Sequence, residues 1–258
     1  MKLIHFLNSM YGWVIVLLVV LAAIGSYIKQ AIPLNLIVAV VVCSVLDLAI
    51  KKVLKKSFRF SASAFITGLI IGSVAQFQAP VWVILVASVI AIGSKYVIRI
   101  KKQHIFNPAT LGLLIALLLF SSGDEWWSSI SFNLGGYSIL LTPLLIIPNY
   151  KALKLGVSLP FLLVTGVLFA ATTYAPLTLS AGGAIDFLYT LPFFFAFIMV
   201  SEPKTSPYLL KEQVVFGVLV GALTFGLLLL SVKYYLLISL LIGNLGFVIY
   251  KNYLQRQS

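Results

Sequence analysis

The sequence predicts an all-α polytopic membrane protein of about ten transmembrane helices in two inverted five-helix repeats. Composition is the first observation: of 258 residues, 61% are hydrophobic and only 9% charged, against about 25% charged in ordinary soluble domains. The second is the spacing of the apolar runs, and the third is the distribution of lysine and arginine between them. Disorder is excluded, because a disordered chain needs low hydrophobicity. Cys43 is the one cysteine, which excludes a disulfide scaffold, a self-contained iron–sulfur cluster or a thiolate zinc site.

A spanning helix takes about 20 mostly apolar residues. Runs of that kind fall near 10–28, 33–50, 62–77, 79–98, 107–121, 135–149, 156–174, 184–200, 213–231 and 234–250. The third and fifth open on polar residues, SASAF and NPAT, which predicts broken or partly re-entrant helices. The first run lacks a small-residue cleavage site, so no cleavable signal is expected.

Short cytoplasmic loops carry the excess of basic residues. Lys51, Lys52, Lys55, Lys56 and Arg59 follow the second run, and Lys95, Arg99, Lys101 and Lys102 gather around the turn between the fourth and fifth. With ten spans, 16 of the 18 basic residues share one side, leaving Lys29 and Lys233 opposite. Both termini are then cytoplasmic, and the protein sits in the cell membrane. The net charge of +12 is therefore mostly topology. Anionic lipid or an acidic cytoplasmic partner suits this surface better than nucleic acid does.

No linker or soluble domain interrupts the spans, so residues 1–258 form a single membrane domain. Five runs occupy 1–121 and five occupy 122–258. Odd-numbered halves have opposite orientations, the arithmetic of an inverted repeat.

Ionisable residues inside the spans are functional candidates because burying charge in lipid is costly. Asp47 is spaced i, i+4 from Lys51 and is expected to pair with it. Lys95 lies near a span end, where it can snorkel to the surface. Asp186 is either a solvated helix-start acid or a ligand on a cation pathway. His5 and His104 are the only histidines, too few for two bis-histidine haems.

Two stretches carry most of the chemical information. In KKQHIFNPATLG, residues 101–112, Asn107 and Pro108 suit the N-cap and first turn of a helix. The residues alone allow a plain cap, or a helix start whose free amides and positive dipole end meet an electron-rich group such as a reduced flavin. In FIMVSEPKTSPYLL, residues 197–210, Pro203 and Pro207 enforce turn geometry around Ser201, Glu202, Thr205 and Ser206. That stretch is either a rigid turn or a polar cap over a cofactor or ion.

From residue 61 to 245 the segments SASAFITGLIIGS, HIFNPATLG, FNLGGYSILLTPLLIIP, KALKLGVSLPFLL, FAFIMVSEPKTSP and LLIGN occur in an order that resembles the RnfD and NqrB family. These are membrane proteins of the Rnf electron transport complex and of the Na⁺-translocating NADH:quinone reductase, Nqr. FNPA and SEPKTSP are the specific elements. The resemblance implies ten helices in two inverted repeats, and electron transfer through flavin within a larger oxidoreductase complex. It places His104, Phe106, Asn107 and Pro108 beside a noncovalent flavin, riboflavin or FMN. Ser201, Glu202, Thr205 and Ser206 stand where the family has a Thr-Asp-Pro-x-Thr-Ser-Pro motif, with glutamate in place of aspartate. The family also carries a Ser-Gly-Ala-Thr element whose threonine holds FMN through a phosphoester. Here the loop reads SSGDEWWSS, residues 121–129, without that threonine, which argues against covalent FMN. Trp126 and Trp127 in the same loop are expected as interfacial anchors.

The implied function is a membrane-embedded electron-transfer subunit, rather than an enzyme alone. It takes electrons from a cytoplasmic flavoprotein or iron–sulfur reductase, works beside other membrane subunits in the lipid bilayer, and couples to Na⁺ or H⁺ movement. The alternatives are a non-redox transporter or channel on the same fold, or a membrane anchor for a soluble reductase.

Overall fold

The computed structural model describes residues 9–100, 103–128, 138–174 and 192–255. Asp186 lies outside the described residues. The helices are α1 (Met10–Lys29), α2 (Leu34–Val53), α3 (Ala62–Val74), α4 (Val81–Val97), α5 (Pro108–Phe120), α6 (Ser138–Ala152), α7 (Leu155–Tyr174), α8 (Pro192–Phe194), α9 (Leu210–Leu229) and α10 (Tyr235–Gln255). The short helix α8 runs on as a π-helix over Phe195–Val200. Between α4 and α5, strands β1 (Arg99–Ile100) and β2 (Gln103–His104) pair antiparallel, Arg99 opposite His104.

Helix starts follow the local chemistry. The Ser9 hydroxyl accepts from the Gly12 N–H at 3.1 Å, and Ser61 does the same for Ala64 at 3.4 Å, each satisfying a donor the first turn leaves orphaned. Pro108 is the first residue of α5, where its missing N–H costs nothing. Several ends close without glycine. Gln30, Lys55, Leu153 and Ser231 all adopt positive φ, from 51° to 56°. The residue after each donates five positions back, as Lys154 does to the Asn149 carbonyl at 2.9 Å, which is the Schellman pattern.

Among the described residues four helices, α1, α2, α9 and most of α10, are long and apolar enough to cross a membrane, and α3, α4, α5 and most of α7 are shorter apolar helices. The helices α3 and α5 have 13 residues each, a rise of about 20 Å against a hydrocarbon core of about 30 Å. They are the helices of the SASAF and NPAT stretches. Outward faces are apolar too: Val45, Val89, Leu119, Leu163 and Leu219 are all exposed. Helices apolar on every side belong in lipid, and this is a multi-pass membrane protein.

The chain divides into two compact units, one of residues 1–104 and 108–129, the other of residues 105–107 and 130–258. In the first, α4 and α5 cross so closely that a Cβ on Gly112 would lie 2.2 Å from the Ala87 carbonyl oxygen. In the second, α7 and α9 do the same: a Cβ on Gly217 would lie 2.3 Å from the Val157 carbonyl oxygen. Ile71, Ile84, Ile92, Leu113 and Leu117 fill the first core, and Phe161, Phe195, Leu145 and Met199 the second.

Candidate functional site

The second unit gathers three of the sequence elements into one buried node. The Asn107 backbone N–H donates to Asn244 Oδ1 at 3.1 Å, and Asn107 Nδ2 donates to the Met199 carbonyl at 3.2 Å. Asn244 Nδ2 in turn donates to the Thr205 carbonyl at 3.3 Å. Asn107 is 1% exposed and Asn244 fully buried, so these bonds are made away from water, where an unpaired amide costs most. Asn107 therefore reaches the end of the π-helix and does more than precede α5. Phe106, its neighbour, is half-buried.

The π-helix supplies the carbonyls. Such wide turns are rare and recur at functional sites. Here the Phe197 carbonyl accepts from Asn149 Nδ2 and from the Ser201 hydroxyl at 2.7 Å. The Ser158 hydroxyl donates to Asn149 Oδ1 at 2.8 Å, which fixes the amide's orientation.

Beyond Val200, the sequence SEPKTSP folds into a compact turn. The N–H groups of Thr205 and Ser206 both donate to the Glu202 carbonyl, at 3.2 and 3.0 Å. The Ser206 hydroxyl bonds the same carbonyl at 2.7 Å, and the Thr205 hydroxyl reaches the Glu202 carboxylate at 3.3 Å. Ser201, Thr205 and Ser206 are buried and Glu202 half-buried. Lys154, on the turn between α6 and α7, clamps this segment from outside. Its ammonium donates to the Ser206 and Pro207 carbonyls and sits 4.3 Å from the centre of the Tyr208 ring. Burial pulls it down to about 8, because desolvation disfavours the charged form. Gln213 Nε2 closes the far side, donating to the Leu153 and Tyr208 carbonyls at 2.9 and 3.1 Å.

Of the predicted site residues, Asn107, Ser201, Glu202, Thr205 and Ser206 come together within this unit. His104 belongs to β2 and Pro108 to α5, both in the other unit. Sequence reasoning does not single out Asn149, Lys154, Ser158 or Gln213 as site residues, and it treats Asn244 only as part of LLIGN. The available signal was a polar residue inside an apolar run, as in LLIIPNY and LLIGNLG.

The first unit bears out one ion pair and corrects three side chains. Lys51 pairs with Asp47 at 2.7 Å, and the Tyr96 hydroxyl donates to the same carboxylate at 2.8 Å. Lys95 does not snorkel: it is buried, and its ammonium donates to the Ser63 carbonyl and hydroxyl at 2.9 and 3.2 Å. Trp126 and Trp127 are not surface anchors but buried side chains. Trp127 Nε1 donates to the Gly72 carbonyl at 2.7 Å, and its ring meets Phe77 edge-on at 4.9 Å. The Val74 carbonyl accepts from the N–H groups of both Glu125 and Trp126. The Glu125 carboxylate accepts from the Phe77 N–H at 2.7 Å and pairs with Lys29. Burial pushes this carboxyl up, but Lys29 and the Phe77 N–H outweigh it, and the net position is below the ordinary value.

Residues 4–144 match the family described as NQR2, RnfD, RnfE, which is more than half of the chain. The chain belongs to that family. The matched span includes Phe106, Asn107, Pro108 and Ala109 and ends within α6, while Met199, Thr205 and Asn244 of the node fall beyond it. A relative from Actinobacillus succinogenes, the component lettered D of its ion-translocating oxidoreductase complex, is 34% identical over 120 residues. That alignment covers 45% of this NQR2, RnfD, RnfE family member and 34% of the relative's length.

Proposed function

We propose that this chain is a membrane-embedded electron-transfer subunit that binds a noncovalent flavin, riboflavin or FMN. It passes electrons from a cytoplasmic flavoprotein or iron–sulfur donor into or across the membrane, beside other membrane subunits, coupled to Na⁺ or H⁺ translocation. Ten spans in two inverted repeats with both termini in the cytoplasm complete the reading. One observation carries it: Asn107 of FNPA, inside the family match, is hydrogen-bonded to Met199 at the edge of SEPKTSP and to Asn244. The motifs that suggest a flavin thus build one another's geometry.

The donor set fits a flavin ring in kind. Uncharged amides, hydroxyls and backbone N–H groups, with Phe106 beside Asn107 in the chain and Phe195 and Phe197 on the π-helix, suit a planar ring with carbonyl edges and apolar faces. Asn107 and Asn244 bond one another and the backbone, so they act as the frame that fixes this region, and the protein's part is positioning and electrostatics. When bound, the flavin supplies the redox chemistry itself.

The hydroxyls of Ser201, Thr205 and Ser206 are bonded within their own turn, which favours a second reading: a non-redox transporter or channel, or an anchor for a soluble reductase, built on the same rigid turn. An absorbance spectrum of the detergent-purified protein, with and without dithionite, decides between them. Flavin bands that bleach on reduction and are released by acid support the carrier. They are expected to be lost in Asn107→Leu. A preparation that stays colourless after flavin is added back overturns the carrier reading.

A further inference from the structure

We propose that the groove between α9 and α10 binds one hydrocarbon chain of a phospholipid whose headgroup carries a phosphate and a primary amine, the phosphate on Lys211 and the amine on Glu212. The groove has a volume of about 510 Å³, and its lining includes Lys211, Glu212, Leu223, Gly246, Phe247 and Tyr250. At roughly 30 Å³ for a water-sized group such as a methylene, it holds about 17 methylenes, one long acyl chain. From Lys211 to Leu223 the helix rises about 18 Å, close to one leaflet, which is half of a hydrocarbon core of about 30 Å. The groove therefore has the depth of a lipid chain running from the interface to the midplane.

Two glycines of α10 shape it. A Cβ on Gly243 would lie 2.5 Å from Val220 Cγ2, so this is where the helices touch. A Cβ on Gly246 would meet nothing within 4 Å, so the missing side chain leaves the space open.

The charged lining chooses the headgroup. Lys211 and Glu212 lie in the first turn of α9, while the far end at Leu223 is apolar. Neighbours at i, i+1 do not face each other on a helix, and neither residue joins an ion pair among the described residues. A purely anionic headgroup satisfies Lys211 but is repelled by Glu212. A quaternary ammonium has no N–H to give Glu212. A phosphate with a primary ammonium satisfies both, with charge-assisted hydrogen bonds on each side.

Native mass spectrometry of the detergent-purified full chain, given equal amounts of phosphatidylethanolamine and phosphatidylglycerol with matched chains, tests the proposal. Phosphatidylethanolamine is expected to exceed phosphatidylglycerol by about tenfold, the effect of one charge-assisted hydrogen bond. Glu212→Gln brings the two to parity while the chain still binds. Gly246→Leu fills the groove and abolishes the adduct; because leucine is the better helix former, the melting temperature of this variant is not expected to fall and serves as its folding control. Equal binding of the two lipids by the unaltered protein overturns the headgroup assignment. Undiminished binding by folded Gly246→Leu overturns the groove, and so does preferential retention of an isoprenoid quinone over either lipid.

Discussion

Replacing Asn244 with leucine tests the polar node most directly. The substitution is nearly isosteric, so it removes two hydrogen bonds with little change in packing. It takes the acceptor from the Asn107 N–H and the donor from the Thr205 carbonyl. Both groups stay buried, and an unsatisfied buried group costs about 1–3 kcal/mol. The longer bond to Thr205, at 3.3 Å, argues for the lower end there, giving a loss of roughly 2–4 kcal/mol for the pair. Asn107→Leu removes the bond to the Met199 carbonyl but keeps the backbone N–H, and is expected to destabilise as well. At about 2–4 °C per kcal/mol for a chain approaching this size, Asn244→Leu lowers Tm by around 10 °C. Thermal melts followed by circular dichroism in one detergent give the comparison. If Asn244→Leu or Asn107→Leu melts within about 2 °C of the unaltered protein, the node is not a stabilising network and the argument fails.

Gly112→Ala improves helix propensity yet must separate α5 from the Ala87 carbonyl, so it is expected to destabilise by about 1–3 kcal/mol; a neutral result in the same melts would contradict the close crossing. Glu125 titrates lower in the folded state than in the unfolded chain, near about 4.3, so the unfolded state binds the extra proton. Its contribution is full above that pH and is lost as pH falls through the folded value, and Glu125→Gln should flatten this part of an acid stability profile. Lys154 also titrates lower when folded, about 8 against about 10.4 unfolded. The unfolded state again holds more protons in that window, so stability rises between about pH 8 and 10, a slope that Lys154→Met should remove.

The apolar runs were legible because a membrane helix needs little beyond length and composition. The expected run 33–50 matches α2 at Leu34–Val53, and 107–121 matches α5 at Pro108–Phe120. The helix ends were harder to read. Leu153 and Gln30 close their helices with positive φ, where a sequence reading looks for glycine. The site was half legible for a related reason. Residues clustered in sequence, such as Ser201 to Ser206, announce a turn, but the turn's partners are Lys154 and Asn244, distant in the chain and flanked by apolar residues. Lys154 reads as one more basic loop residue, and only the fold shows that it is buried over Tyr208.

The loop at 121–128 bears on the missing threonine. The stretch that follows α5 could have been slack, leaving room for a flavin attached through another residue. Instead it is tied to the end of α3. Glu125 and Trp126 share the Val74 carbonyl, the Glu125 side chain holds Phe77 and Lys29, and Trp127 fills the space left by Gly25. Moving Glu125 or Trp127 would lift these contacts, and each buried amide or carbonyl left unpaired costs about 1–3 kcal/mol. Two or three such losses are comparable with the whole stability of many domains. These contacts fix Glu125 and Trp127 against the end of α3. In the flavin carrier proposed above the cofactor is held by noncovalent contacts, and the Asn107 node is where the motifs converge.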